Sequence, residues 1–309
     1  MLRYAHRLGR PPQVNRHLPA EGIETALGIS ATSQGTAGNR TGRPRRLHPE
    51  RHLQALSLLF ISTSGTMTTK TSELLSLVLG RRDRLDPDER KALSQLSVRT
   101  LRFSHGETII PAGPTASESC LVVSGMALRV QSTCSGRDVV SAVHIPGDFV
   151  DLHALVLERL DHSVIAQGDC KVQFVDLQQL RKITSDFPHL ARLLWMLTLI
   201  DAKIHRAWLA AAATLRTNER IANFLCELYT RYEMIGFVKN GCFEMPLQQK
   251  DMERLFGFSR SHVNRAVQEL RARGLIDWTR DQVTVHDLEN LQNYGKFDPD
   301  YLEVVSASR

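Results

Sequence analysis

Between residues 246 and 276, apolar positions recur with helical spacing in two short runs. Met252, Leu255 and Phe256 give the first run one apolar side, and Gly257 breaks it where the chain must reverse. Ser259 stands where a cap would open a second helix, on which Val263, Ala266, Val267 and Leu270 share a core-facing side. Arg260, Ser261, Asn264, Arg265 and Gln268 fall on the opposite side. Leu275–Trp278 and Gln282–Val285 then alternate as two short strands would. A lone amphipathic helix with two arginines is ordinarily a solvated face. The turn glycine, the cap, the paired apolar faces and the strands together favour a winged helix-turn-helix, whose arginine, amide and hydroxyl groups suit base edges in a DNA major groove.

Upstream, two helical stretches are expected between Thr71 and Leu96, broken near Asp86-Pro87. The period then changes to two. Val98–Phe103, Glu107–Ile110, Cys120–Val123, Ala127–Gln131, Val139–His144, Val164–Gln167 and Val172–Val175 read as short strands, with Gly106, Gly113, Gly125, Gly136, Gly147 and Gly168 as the turns between them. Many short strands with regular turn signals indicate a sandwich or barrel. After Phe187-Pro188 a long helix runs to the Thr214–Thr217 region. Along it Leu193, Leu197, Ile200, Ile204, Ala207 and Ala211 alternate steps of four and three, a coiled-coil seam, while Leu190, Leu194 and Trp208 form a second apolar side. One face can pack on the strands and the other on a partner chain; a long core helix is the alternative.

Charge adds less than its total suggests. The 309 residues carry a net +6, but nine of the 39 basic and three of the 33 acidic residues lie in residues 1–66, so the remainder is neutral. The local balance is more telling: Ser259–Arg273 holds four arginines and one glutamate, a patch suited to phosphates. Residues 1–66 are rich in Arg, Pro, Gly, Ser and Thr and read as disordered. An organellar transit peptide is one explanation; the preferred one is an over-extended N-terminus, with translation starting at Met67. The five cysteines lie far apart without a C-x-x-C pair, which argues for a reducing compartment and against a zinc finger. No apolar run approaches the roughly 20 residues of a membrane span. Gly-rich phosphate loops, paired-carboxylate motifs and nucleophile elbows are absent, so no enzyme is expected.

The pattern SR-x-x-V-x-R-x-x-x-x-L followed by GLI, with the segments SGMALRV and IPGDFVDLHAL, resembles the Crp–Fnr superfamily of bacterial regulators over roughly two thirds of the chain, Arg99 to Tyr294. The resemblance implies an α+β fold: a double-stranded β-roll of the cyclic-nucleotide-binding kind, a long dimerisation helix and a C-terminal winged helix-turn-helix. The expected divisions are residues 1–66 (extension), 67–97 (helices), 98–180 (roll), 181–213 (dimerisation helix), 214–290 (winged helix-turn-helix) and 291–309 (tail). It implies a cytoplasmic homodimer on palindromic double-stranded DNA, with RNA polymerase as protein partner and half-sites about one helical turn apart. Arg260 and Arg265 would contact guanine or phosphate, Asn264 adenine, and Ser261 and His262 bases or backbone, with Gln268 on the same face. Ser259, Gln248, Gln249 and Lys250, near the helix starts, would contact phosphates. Many relatives carry glutamate at the Ser261 position, so the half-site is expected to depart there from TGTGA and TTGAT cores.

In cyclic-nucleotide receptors of this fold, backbone N–H groups after a Gly-Glu and an arginine in Arg-Ser-Ala hold the phosphate. The matching positions here are Gly147, Asp148 and Asp151, then His162 and Ser163. A histidine in place of the arginine, with an added carboxylate, makes cyclic AMP an unexpected ligand, and no cofactor is assigned. The iron–sulfur cysteines of the fumarate–nitrate branch lie near the N-terminus of the domain, and none precedes Cys120 here. Cys120, Cys134 and Cys170 are expected as buried strand residues; His105, His144, His153 and His162 match no ligand spacing. The rival reading is a ligand-binding module that regulates a partner protein and keeps a vestigial helix-turn-helix.

Overall fold

A computed structural model describes residues 71–304, apart from 115–116, 135 and 249–250. The expectations for residues 1–66 and Met67 lie outside the described residues. Helices α1 (Thr71–Gly80) and α2 (Pro87–Ser94) are separated where the sequence indicates. Asp86 caps α2 in a capping box with Glu89, and Pro87 takes the first position, where no amide partner is needed.

The roll is built on two long strands, β4 (Glu118–Ser132) and β7 (Ser163–Asp176), paired antiparallel along most of their length. Strands β1 (Val98–Phe103) and β2 (Thr108–Ile110) pair with β7, and β5 (Asp138–His144) pairs with β4. A small ribbon joins β3 (Gly113–Pro114) to β6 (Arg159–Leu160). Two expected turns are corrected: Gly125 and Gly168 lie inside β4 and β7, so four short strands become two. Each glycine has a positive φ, +79° and +71°, and the β4 register shifts around Gly125. Bulges let a long strand bend without ending. A side chain at Gly125 would fall on the Asp169 carbonyl, which explains why the position has none.

Cys120 and Cys170 lie in the inner cluster of the roll with Ile110, Val122, Val164 and Val172. Cys134 is exposed, contrary to expectation, because it sits in the turn between β4 and β5.

Helices α3 (Leu177–Asp186) and α4 (Pro188–Thr214) follow, parted at Phe187 by the proline that opens α4. The residues expected as the dimer seam do not form one face to solvent. Leu193, Ile200 and Ile204 are buried in their own chain and Leu197 packs on the same core, because the roll and the helix that follows α4 cover this side. Ala207 and Ala211 are half-buried. The exposed apolar row is instead Trp195, Leu199 and Leu209, at 66%, 51% and 73% exposure.

Helix α5 (Thr217–Met234) supports α6 (Asp251–Phe256) and α7 (Arg260–Ala272), and three strands make the wing: β8 (Cys242–Glu244), β9 (Ile276–Thr279) and β10 (Gln282–Val285). The chain then folds back as α8 (Leu288–Gly295) and a 3₁₀ turn at Pro299–Leu302. Gly295 lies so close to the backbone of Ala222 and Asn223 on α5 that a side chain would not fit.

Gly125→Ala is expected to lower stability by several kcal/mol in chemical denaturation, since left-handed strain adds to a backbone clash. Gly106→Ala, at φ +85° with open space around it, should cost only about 1 kcal/mol. Equal losses would contradict the role given to the bulge.

Candidate nucleic-acid interface

Helix α7 divides cleanly into two sides. Val263, Val267 and Leu270 are fully buried and Ala266 nearly so. Arg260, Ser261, His262, Asn264, Arg265 and Gln268 are exposed. Of these, Arg260, Asn264, Arg265 and Gln268 have no hydrogen-bond or ion-pair partner among the described residues. The sequence therefore placed this face correctly. Ser259 occupies the cap position, but its hydroxyl caps no backbone amide. It lies 3.0 Å from Ser261 Oγ and 2.9 Å from His262 Nδ1, a side-chain cluster that takes the place of the cap. Gln248 is exposed, and its amide donates to the Asp251 carboxylate at 2.7 Å, fixing the start of α6. Gln249 and Lys250 lie outside the described residues.

The four-arginine patch thins to two free cations. Arg271 donates to the Trp278 carbonyl of the wing, and Arg273 pairs with Glu269 at 3.1 Å while its guanidinium lies 4.9 Å from the Tyr294 ring centre. Both arginines hold the domain together. Missed from the sequence are Arg216 and Thr217 at the opening of α5, which line one groove with His262 and Arg265. Only a capping box marks that place, with the Arg216 amide donating to Glu219 at 2.9 Å.

The expected effector residues are brought near one another but do not converge on a ligand. Asp151 is buried and turned inward, accepting from the Cys120 amide (2.7 Å) and the Ser119 hydroxyl (2.9 Å). Burial pushes its carboxyl up to about 6. Ser163 accepts from the Ala112 amide, and Asp148 accepts from Ile145 and from Arg231 of α5. Gly147 packs on Val78. His162 is buried with Nδ1 2.7 Å from Asp161 and its ring 5.3 Å from that of His153; burial holds its pKa below the usual value. A guanidinium is present after all, from an expected strand whose arginine the sequence did not single out. Arg129 of β4 reaches Asp201 of α4 at 2.8 Å and the Val150 carbonyl at 3.2 Å. Among the described residues no group of three or more His, Cys, Asp or Glu side chains is arranged to hold a metal ion.

This geometry agrees with the comparisons. Residues 100–187 match the cyclic nucleotide-binding domain and residues 219–294 the Crp-like helix-turn-helix domain, together more than half of the chain. The chain belongs to the Crp–Fnr superfamily. It is 23% identical over 203 residues to the transcriptional activator protein FnrA of Stutzerimonas stutzeri, covering 66% of this chain and 83% of that protein. It is 22% identical over 205 residues to the transcriptional regulatory protein btr of Bordetella pertussis, covering 66% and 84%. The structure of FixK2 from Bradyrhizobium japonicum superposes with a TM-score of 0.57 at 21% identity, over 69% of this chain and all of that one, which shows a shared fold. As a Crp–Fnr protein the chain is a transcriptional regulator with a DNA-binding helix-turn-helix. Among the described residues no helix is long and apolar enough to cross a membrane.

Arg265→Ala should weaken binding to duplex DNA by about 1–3 kcal/mol with unchanged stability. Arg271→Ala should instead lower stability by about 1 kcal/mol with a small effect on affinity, since it removes a bond to the wing. Fluorescence-anisotropy titration and thermal melting separate the two. Asp151→Asn tests the roll, because an amide oxygen can keep both accepted bonds without the charge. Below about pH 4 the carboxyl is protonated in folded and unfolded states and carries no penalty. Between about pH 4 and 6 the unfolded chain ionises first, so the penalty grows, and above about 6 it is complete. The variant should be more stable than the wild type at pH 7.5 by on the order of 2 kcal/mol, with the gain vanishing by about pH 4.

Proposed function

We propose that the chain is a cytoplasmic, homodimeric regulator that reads palindromic DNA with α7 and does so without cyclic AMP, acting with RNA polymerase. The observation that carries this is the exposed face of α7. Arg260, Asn264, Arg265 and Gln268 stand together without internal partners on a helix whose other side is wholly buried. Unpaired guanidinium and amide groups on a rigid helix are what base-edge recognition needs. Ser259, Ser261, His262 and Gln248 border that face and supply phosphate or base contacts.

Support for a dimer comes from α4. Trp195, Leu199 and Leu209, with Ala202 and Arg206 between them, follow steps of four and three along its solvent side. A second α4 crossing this row would bury the largest exposed apolar side chains of the helix. The case against cyclic AMP is strengthened by Arg129, a buried guanidinium of the roll, being neutralised by Asp201. A phosphate would have to displace that carboxylate and then sit beside the buried His162 and Asp151. No observation favours a sensor with a vestigial helix-turn-helix, since α7 keeps its cations together.

Binding selection from random duplexes with the full chain, with and without cyclic AMP, tests this reading. One palindrome should be enriched equally in both conditions, differing from TGTGA at the base pair facing Ser261. A requirement for cyclic AMP, or recovery of an unmodified TGTGA palindrome, would overturn the corresponding part, and no enrichment in either condition would overturn the whole.

A further inference from the structure

A buried ionic cluster lies away from the reading face of α7 and touches the effector positions only at Asp148. Glu227 has no solvent exposure and Arg231, one turn later on α5, has 7%. The Arg231 guanidinium donates to Glu227 at 3.1 Å, to the Val143 carbonyl of β5 at 3.0 Å and to Asp148 at 2.5 Å. Glu227 in turn accepts from Trp208 of α4 and from Tyr301 of the C-terminal turn, each at 2.8 Å. That turn is tied down further: Arg82 donates to the carbonyls of Leu302 and Glu303, and Lys203 pairs with Glu303. One ionic cluster thus joins the roll, the long helix, the helix beneath α7 and the chain's C-terminal segment. A second polar contact lies at the other end of the domain. Gln167 of β7 donates to the Pro246 carbonyl (2.8 Å) and to Asp251 (3.0 Å), the carboxylate that also accepts from the Gln248 amide at the start of α6.

We propose that Arg231 is a positioning residue for DNA recognition: its bonds to Asp148 and Val143 clasp the winged helix-turn-helix to the roll and fix where α7 points. A buried ion network is a costly way to gain stability, because apolar side chains of similar size would hold two surfaces together without desolvating charge. Its distinctive property is geometric. A planar guanidinium anchored to Glu227 on its own helix meets two acceptors on the roll in a single orientation, so a rotation of α5 breaks both bonds to the roll together. Asp148 also stands two residues before Val150 and three before Asp151, in the segment that leads into the effector positions. Any displacement of that segment is therefore transmitted to α5 and so to α7. The consequence for DNA rests on the dimeric reading proposed above; the clasp itself does not.

The experiment uses two arms on the full chain with Arg231→Met and, because that variant leaves the buried Glu227 without its cation and can fail to fold, also Asp148→Ala, which removes the acceptor on the roll. In the first arm, nitroxide labels at Arg102→Cys on β1 and Asn293→Cys on α8, in a Cys134→Ser, Cys242→Ser background diluted with unlabelled chain, report the roll-to-domain distance by pulsed dipolar spectroscopy. A single narrow distribution is expected without the clasp substitutions, and a distribution at least twice as broad with either of them. An unchanged width in a folded clasp variant overturns the proposal. In the second arm, the selected palindrome is compared with versions whose half-site spacing is changed by two base pairs. The roughly ten-fold or greater preference expected of the wild type should fall below about three-fold in the variants, while binding to an isolated half-site holds. A retained preference in a folded variant also overturns the positioning role. If the wild type enriches no duplex, it is the DNA-binding reading that falls, and the distance arm alone decides the clasp.

Discussion

Helix α5 is the member on which the rest depends. Eleven of its 18 residues are buried, so it has almost no solvent face of its own. Ile221, Leu225 and Leu228 sit in the main core, where each contributes about 1.5–3 kcal/mol by leaving water. That all-round burial gives α7 a fixed apolar floor, and a fixed floor lets the opposite side of α7 hold cations in solvent without internal partners. It also gives α8 a seat, where Gly295 meets the α5 backbone too closely for any side chain. Were α5 amphipathic in the ordinary way, the helix-turn-helix would be a separate bead on a hinge.

Around that helix the aromatic side chains do what charge alone could not. Trp208 of α4 packs edge-on against Phe224 and Phe256, and Arg220 lies over Phe256 and Phe258 at about 5 Å. The end of the long helix is thereby bonded to the first helix of the helix-turn-helix through packed rings. In the roll, polarity is handled differently. Arg129 and Asp201 neutralise one another between strand and helix, and Asp151 is held by two donors at the cost of a raised pKa. Both carboxylates thus have their partners within the chain.

Much of this was legible in the sequence because it depends on local periodicity. The α7 faces, the Asp86-Pro87 break, the start of α4 at Pro188 and both wing strands beyond Leu275 follow from apolar spacing and from where Pro and Gly stand. Gly125 and Gly168 misled for a physical reason: a positive φ serves a bulge as well as a turn, and only pairing with a partner strand distinguishes them. The seam on α4 failed similarly. The second apolar side, Leu190, Leu194 and Trp208, is covered by the chain as well, and the exposed row of Trp195, Leu199 and Leu209 emerges only once the roll and α5 are in place. Arg129 and Arg231 were invisible because their partners lie 72 and 83 residues away. The third wing strand, Cys242–Glu244, was too short to announce itself.

The central claim is that the outer face of α7 reads base edges rather than merely attracting phosphates. The most direct measurement is a base-resolved affinity map: wild type and Arg265→Ala titrated against every single-base substitution of the selected half-site at fixed salt. The account predicts that the variant loses discrimination at one base pair and keeps it elsewhere. A uniform loss of affinity, with every base preference intact, would make Arg265 a phosphate contact and contradict the claim.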